Sequence, residues 1–250
     1  MSMSYEDWQI WGRKPTQQER TLVDRATGNL PEMESTKQLV DLISSVYKPG
    51  QKILDVGCNV GHYLRGIRRI FPNANYVGVD AYDHYVTKAK ELFLNDNYST
   101  FEVKDIFNSL YPNQPFDIVY CCNVLFHLPD FRKPIKNILE STKDVCFIRM
   151  LLADYTTIVK LVFSDEYYDD GSPKDFKFMN TWNKDYFVKY VEKLGWNVEL
   201  ISDEFNSTTL QKEFETVKIE KSDKGTHIIA GKQVVDNIVC NYTWVKITKI

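Results

Sequence analysis

The chain has 250 residues, 43% of them apolar and 14% aromatic, enough to fill the core of one large domain. Its 31 basic and 34 acidic side chains leave a net charge of −3, which argues against nucleic acid or another polyanion as a partner. The five cysteines (Cys58, Cys121, Cys122, Cys146 and Cys240) are odd in number, lack CxxC spacing and lie partly inside apolar runs. That pattern indicates reduced thiols, a cytoplasmic protein and no metal site.

The start, "MSMSYEDWQIWGRKP", has no basic region followed by an apolar stretch, so no signal peptide is expected. No apolar run approaches the ~20 residues that span a bilayer, so no membrane partner is expected. Residues 1–33 read as a polar, irregular N-terminal lid or extension, with Trp8 and Trp11 as its unusual apolar content. Residues 34–250 read as one domain. "STKQLVDLISSVY" predicts a helix with Ser35 and Gln38 as a capping box, Leu39, Leu42, Ile43 and Val46 on its apolar face, and Pro49-Gly50 as its stop.

From there strands and helices alternate. "KILDVG" predicts a strand, then a helix burying Leu64, Ile67, Ile70 and Phe71. "NYVGVD" predicts a second strand, and "DHYVTKAKELF" a helix. "TFEVKD" and "FDIVYCCNVL" predict strands, "PIKNILEST" a helix and "VCFIRMLL" a fifth strand. "NKDYFVKYVEKLG" predicts a helix with Asn183 as N-cap and Gly195 at its stop, and "NVELISDEF" and "NYTWVKITKI" are final strands. Apolar strands separated by helices imply a doubly wound α/β fold: a mostly parallel seven-stranded sheet with helices on both faces. Two stretches break the rhythm, 155–182 after strand five and roughly 206–238 before the last strand. Insertions of that length are expected on the substrate side.

The turn "DVGCNVGHYL" follows the first strand. Gly57 permits a sharp reversal and close approach of a ligand, and Gly61 lets the following helix start lie against the strand. The dinucleotide fingerprint G-x-G-x-x-G is absent, which disfavours a nicotinamide-dependent oxidoreductase. Asp55 beside the turn suits a cationic ligand better than a diphosphate.

These residues resemble motif I of the class I S-adenosylmethionine-dependent methyltransferases, D/E-x-G-x-G-x-G, with Asn59 in place of the middle glycine. Asn is the non-glycine residue that best tolerates a left-handed backbone. The resemblance runs over about residues 50–200. It implies a Rossmann-like fold, S-adenosylmethionine as cofactor and a small-molecule acceptor. It also implies a cofactor site of Asp55, Gly57, Cys58, Asn59, Gly61, Asp80, Ala81, Asp105, Ile106, Asn123 and Val124. In that reading Asp80 takes the ribose hydroxyls and Asp105 with Ile106 the adenine, while Asn123 and Val124 lie beside the methionine part. Asp80 and Asp105 could instead cap helices after their strands.

His127, beyond the fourth strand, is the candidate catalytic base for an alcohol acceptor, with activity expected to rise through its pKa; alternatively it only shapes the pocket. Arg149 could pair with an anionic substrate or with a structural carboxylate. Trp11, Arg13, Asn180 and Trp182 are the other substrate-side candidates. The D/N-P-P-Y/F segment of base-methylating enzymes is absent, the place reading "CNVLF". The insert and "NTWNKDYF" are similar to small methyltransferases of bacterial surface-polysaccharide pathways. The expected function is therefore methyl transfer to a small molecule, at an oxygen. A carboxylate, phosphate-type or nitrogen acceptor, or an inactive cofactor-binding regulator, are the alternatives. The sequence leaves the oligomeric state open.

Overall fold

The computed structural model describes residues 17–163, 165–205, 208, 226–235 and 238–250. Two helices, α1 (Gln17–Thr27) and α2 (Glu34–Ser44), precede the first strand, β1 (Lys52–Val56). Then come α3 (Leu64–Ile70), β2 (Asn75–Asp80), α4 (Asp83–Leu92), β3 (Ser99–Val103), β4 (Phe116–Cys122), α5 (Arg132–Glu140) and β5 (Thr142–Ala153). The insert holds β6 (Lys160–Val162) and β7 (Phe176–Phe178), followed by β8 (Trp182–Asn183), α6 (Lys184–Lys193) and β9 (Trp196–Ser202). The described part of the second insertion forms β10 (Thr226–Ile229), β11 (Lys232–Val235) and β12 (Ile238–Val239), before the last strand, β13 (Tyr242–Lys249).

The central sheet runs in the order β3-β2-β1-β4-β5-β13-β9, with the short β8 added beside the end of β5. β1 to β5 are parallel, and β13 is antiparallel to both its neighbours. The expected seven-stranded path is therefore present. Its order reverses between β1 and β4, the point where doubly wound sheets open a crevice at their carboxyl edge.

Period-two alternation divides the strands between two cores. Val119, Cys121, Ile148 and Met150 face one side with α5 and α6 residues such as Ile135, Phe187 and Val191. Ile118, Tyr120, Val145 and Phe147 face the other, with Leu39 and Ile43 of α2, Ile67 of α3 and Val86 of α4. Each fully buried aliphatic side chain contributes about 1.5–3 kcal/mol relative to exposure, so covering both faces is what lets these strands be apolar throughout.

Several local expectations are corrected. The stretch 17–33 is not irregular: Gln17–Thr27 is helical. The helix stops at Gly28, whose φ of 87° is left-handed and whose N–H donates to the Asp24 carbonyl. Ile70 is exposed at the end of α3. Asn183 does cap α6, its side chain accepting from the Tyr186 N–H.

The capping box on α2 is absent. Met33 is the N-cap residue, without a side-chain cap bond, and Ser35 instead meets the Tyr63 hydroxyl at 3.1 Å. Gln38 is buried, and its amide ties α2 to the far strands. Its Oε1 accepts from Trp244 Nε1 at 2.8 Å and from the Glu204 N–H at 3.0 Å, while its Nε2 donates to the Ser202 carbonyl at 2.8 Å. Among the described residues no helix is long and apolar enough to cross a membrane.

Gln38→Leu keeps the volume but strands the buried Trp244 indole N–H, a loss of about 1–3 kcal/mol for that group alone. Urea unfolding should show the midpoint shifted down at unchanged slope. An unchanged midpoint would mean that the amide carries no part of the α2–β13 contact.

Candidate active site

The reversal after β1 takes three left-handed residues in five positions: Gly57 (φ 81°), Asn59 (φ 50°) and Gly61 (φ 76°). Glycine is needed at the outer two for space as well as for φ. A Cβ on Gly57 would stand 2.3 Å from Val124 Cγ2, and one on Gly61 would stand 3.0 Å from the rings of Phe93 and Phe101. Asn59 tolerates the conformation by bonding its own surroundings, its Oδ1 accepting the Val60 N–H at 2.8 Å. The Gly57 and Cys58 N–H groups both donate to the Val79 carbonyl, at 2.7 and 2.9 Å. The turn is thus pinned to the end of β2.

Asp80 completes that pin. One carboxylate oxygen accepts the Asn59 N–H at 2.9 Å and the other accepts the Tyr82 N–H at 3.1 Å. Burial pushes its pKa up, opposed by those N–H groups and that of Ala81. Asp105, just past β3, closes its own turn by accepting from the Phe107 N–H at 2.8 Å. Ile106 is buried in the α5-side core, and its carbonyl accepts from Asn137 Nδ2. Cys58 is buried beside the position that a Cβ on Gly78 would take.

Asp55 is held differently from the expectation. It is buried, and one of its oxygens accepts both the Tyr76 hydroxyl at 2.7 Å and the Tyr120 hydroxyl at 2.9 Å. Burial raises its pKa to about 7, even though both phenols favour the ionised form. Neither tyrosine was singled out in the sequence. The signal was there for Tyr120, which sits directly across from Asp55 in the β1–β4 register, but only once the strand order is known.

Beyond β4, Asn123 is left-handed (φ 62°), Val124 lies over Gly57, and His127 ends a short 3₁₀ turn. The insert is stitched to this loop. His127 Nδ1 lies 2.8 Å from the Phe178 carbonyl, which fixes the tautomer, because a carbonyl only accepts. The Asn180 N–H donates to the Phe126 carbonyl at 2.8 Å and its Nδ2 to the Leu128 carbonyl at 2.9 Å, while its Oδ1 accepts the Val159 N–H. Desolvation lowers the His127 pKa to about 3, with the charge of Lys177 adding to it. The ring is therefore neutral across the working pH range, and the expected rise of activity through its titration is withdrawn.

The substrate-side candidates divide. Asn180 is fully buried and joins the insert to the loop, and Trp182 is buried against the Phe131 ring. Both are packed anchors, not walls of an open pocket. Arg149 is also buried and is bound to Asp203. Trp11 and Arg13 lie outside the described residues. Among the described residues no group of three His, Cys, Asp or Glu is arranged to hold a metal ion.

Comparison with known proteins was made against this geometry. Residues 31–201 match the family model described as a methyltransferase domain. Phosphoethanolamine N-methyltransferase 3 of Arabidopsis thaliana is 35% identical over 106 residues, which is 42% of this chain and 20% of that protein. Sterol 24-C-methyltransferase of Yarrowia lipolytica is 28% identical over 174 residues, 62% of this chain and 42% of that protein. The chain thus spans less than half the length of either relative. An S-adenosylmethionine-dependent methyltransferase structure from Clostridium acetobutylicum superposes with a TM-score of 0.57 at 14% identity, over 93% of this chain and 98% of that one. At that identity the likeness concerns the fold.

Asp55 supplies a pH test. A carboxyl whose folded pKa is raised binds more protons folded than unfolded between the two values, so its stabilisation is present at low pH and is lost as pH rises. Asp55 by itself should therefore remove stability from the ligand-free protein between about pH 4 and about pH 7, the window set by its folded pKa of about 7, while His62 and His127, both lowered to about 3 by burial, act in the opposite direction below about pH 6.5. The slope approaches about 1.4 kcal/mol per pH unit within that window. The Asp55 part is read as the difference between the wild-type and Asp55→Asn stabilities, which should fall with that slope as pH rises; a difference independent of pH would place its origin elsewhere.

Proposed function

We propose that this chain, which belongs to the class I S-adenosylmethionine-dependent methyltransferases, transfers a methyl group to a small-molecule acceptor at a hydroxyl oxygen. The residues at the carboxyl edge suit the cofactor. An ionised carboxylate offers about four lone-pair sites; two of those on Asp80 are taken by the Asn59 and Tyr82 N–H groups. The remainder, which also faces the Ala81 N–H, can accept from a ribose hydroxyl. Asp105 and Ile106 stand at the end of the neighbouring strand for the adenine. Gly57, Asn59 and Gly61 let backbone approach the amino-acid part, with Asn123 and Val124 beside it and Asp55 below. Bound there, the cofactor supplies an electrophilic methyl carbon on a positively charged sulfur.

The observation that carries the hydroxyl reading is the neutral, tautomer-fixed ring of His127. With Nδ1–H directed at the Phe178 carbonyl, the lone pair is on Nε2, which accepts a proton and repels an anion. Arg149, the group that would have favoured a carboxylate or phosphate acceptor, has its guanidinium spent on Asp203. A base with a pKa of about 3 is too weak to ionise an alcohol beforehand. The hydroxyl hydrogen would become strongly acidic only as its oxygen took the methyl group from sulfur, and at that stage a weak base suffices. His127 Nε2 would take that proton as the methyl group passed to oxygen and the sulfur lost its charge. The hairpin that anchors His127 also helps to exclude water. A nitrogen acceptor is the second reading, favoured by the name of the Arabidopsis relative.

S-adenosylhomocysteine should stabilise the fold by about 2.7 kcal/mol at a hundred times its dissociation constant. No thermal shift and no heat of binding at millimolar ligand would overturn the cofactor reading. A panel of hydroxylated and amine metabolites, followed by S-adenosylhomocysteine release and mass spectrometry, should show an O-methyl product. An N-methyl product would select the second reading, and binding without turnover on any acceptor would indicate a regulator.

His127→Ala should lower turnover by about 10²–10⁴ with cofactor affinity nearly unchanged. The wild-type turnover profile should show no histidine titration between pH 5 and 9, because the ring's pKa is about 3. A loss confined to the acceptor KM would make His127 a positioning group.

A further inference from the structure

We propose that Arg149 is a positioning residue for the cofactor: it holds Asn123, and through it the loop after β4, in the shape that closes the site. The proposal rests on reading Asn123 as a cofactor contact. Asn123 is gripped by Arg149 from two sides. Its N–H donates to the Arg149 carbonyl at 3.0 Å, and its side-chain Oδ1 accepts from Arg149 Nη1 at 2.7 Å. At φ 62° Asn123 holds a left-handed backbone that L-residues other than glycine adopt at a cost, asparagine least of all. It keeps that shape only where its surroundings impose it. The next residue, Val124, is the one that fills the space over Gly57, so a shift at Asn123 would be felt at the glycine turn.

The guanidinium is itself fixed. Nε and Nη2 donate to the two oxygens of Asp203, at 2.7 and 2.9 Å, and the Arg149 and Asp203 side chains are each only 7% exposed. Its flat face lies 3.7 Å from the centroid of the Tyr242 ring. Asp203 follows β9 and Tyr242 begins β13, so one side chain joins the far strands to the loop at the switch point. A planar five-donor fork is required for this set of contacts. Lysine, a point charge on a flexible stem, cannot bridge Asp203 and Asn123 while stacking on Tyr242.

A purely structural ion pair would lower the melting temperature without touching the site, and a double-mutant cycle separates the two roles. Calorimetry with S-adenosylhomocysteine, well below every melting temperature, is run on wild type, Arg149→Lys, Asn123→Gly and the double variant. Glycine keeps the left-handed backbone while deleting the amide. Each single variant should weaken binding about tenfold, the equivalent of one charge-assisted hydrogen bond, and the double should bind no worse than the weaker single. Independent, multiplicative losses would overturn the proposal, as would unchanged affinity in either single variant. Should Arg149→Lys fail to fold, Asp203→Asn takes its place in the cycle with the same non-additive result expected. A wild-type protein that binds no S-adenosylhomocysteine overturns the cofactor reading and this proposal with it; normal wild-type binding with additive variants overturns only the latter.

Discussion

The reversal after β1 places three left-handed residues within five positions, Gly57, Asn59 and Gly61. A chain that turns so sharply exposes its own N–H groups, and these need acceptors in a buried place. The end of β2 supplies them: the Val79 carbonyl takes two and the Asp80 carboxylate a third. The turn and the acid are therefore one unit. A carboxylate that only contacted a ligand would leave the empty turn unsupported, and one that only capped would offer nothing to the ligand. Asp80 has lone pairs enough for both.

The same economy appears at the other side of the switch point. The loop after β4 is kept in place by groups that come from distant parts of the chain. Arg149 reaches Asn123 from β5, and the insert reaches His127 and Asn180's partners from its own hairpin. The insertion after β5 is thus continuous with the loop after β4 and not an appendage. It fixes the histidine's tautomer through the Phe178 carbonyl, and desolvation of the ring lowers its basicity.

Two acids, Asp55 buried and Asp80 half-buried, illustrate how environment divides similar residues. Asp55 and Asp80 stand at the ends of adjacent strands, and both have raised pKa values from burial. Asp80 is compensated by backbone N–H groups, Asp55 by two phenols that come from the flanking strands. Gly78, opposite Asp55 in the β1–β2 register, has no side chain to obstruct this arrangement; a Cβ there would strike Phe101. Phenol hydrogen bonds are weaker support for a charge than an ion pair, which leaves Asp55 poised near neutrality.

The order of strands and helices, the parallel sheet and the glycine turn were legible from residues 34–202 and the last strand, because periodicity and turn chemistry are local properties of the chain. The left-handed backbone of Asn59 could be anticipated from its residue type together with its place between Gly57 and Gly61. The α1 helix was hidden by its polarity, since it offers little apolar stripe to count. What only the tertiary structure decided were the partners of long side chains across the fold. Gln38 looked like part of a helix cap and proved to bond Trp244, and Arg149, for which an anionic substrate and a structural carboxylate were both open, proved to grip Asp203 and Asn123. The basicity of His127 belongs to the same class. A residue's type sets which bonds it can make, but its partners 26, 54 or 206 positions away are chosen by the sheet order, and burial exists only once the core has closed.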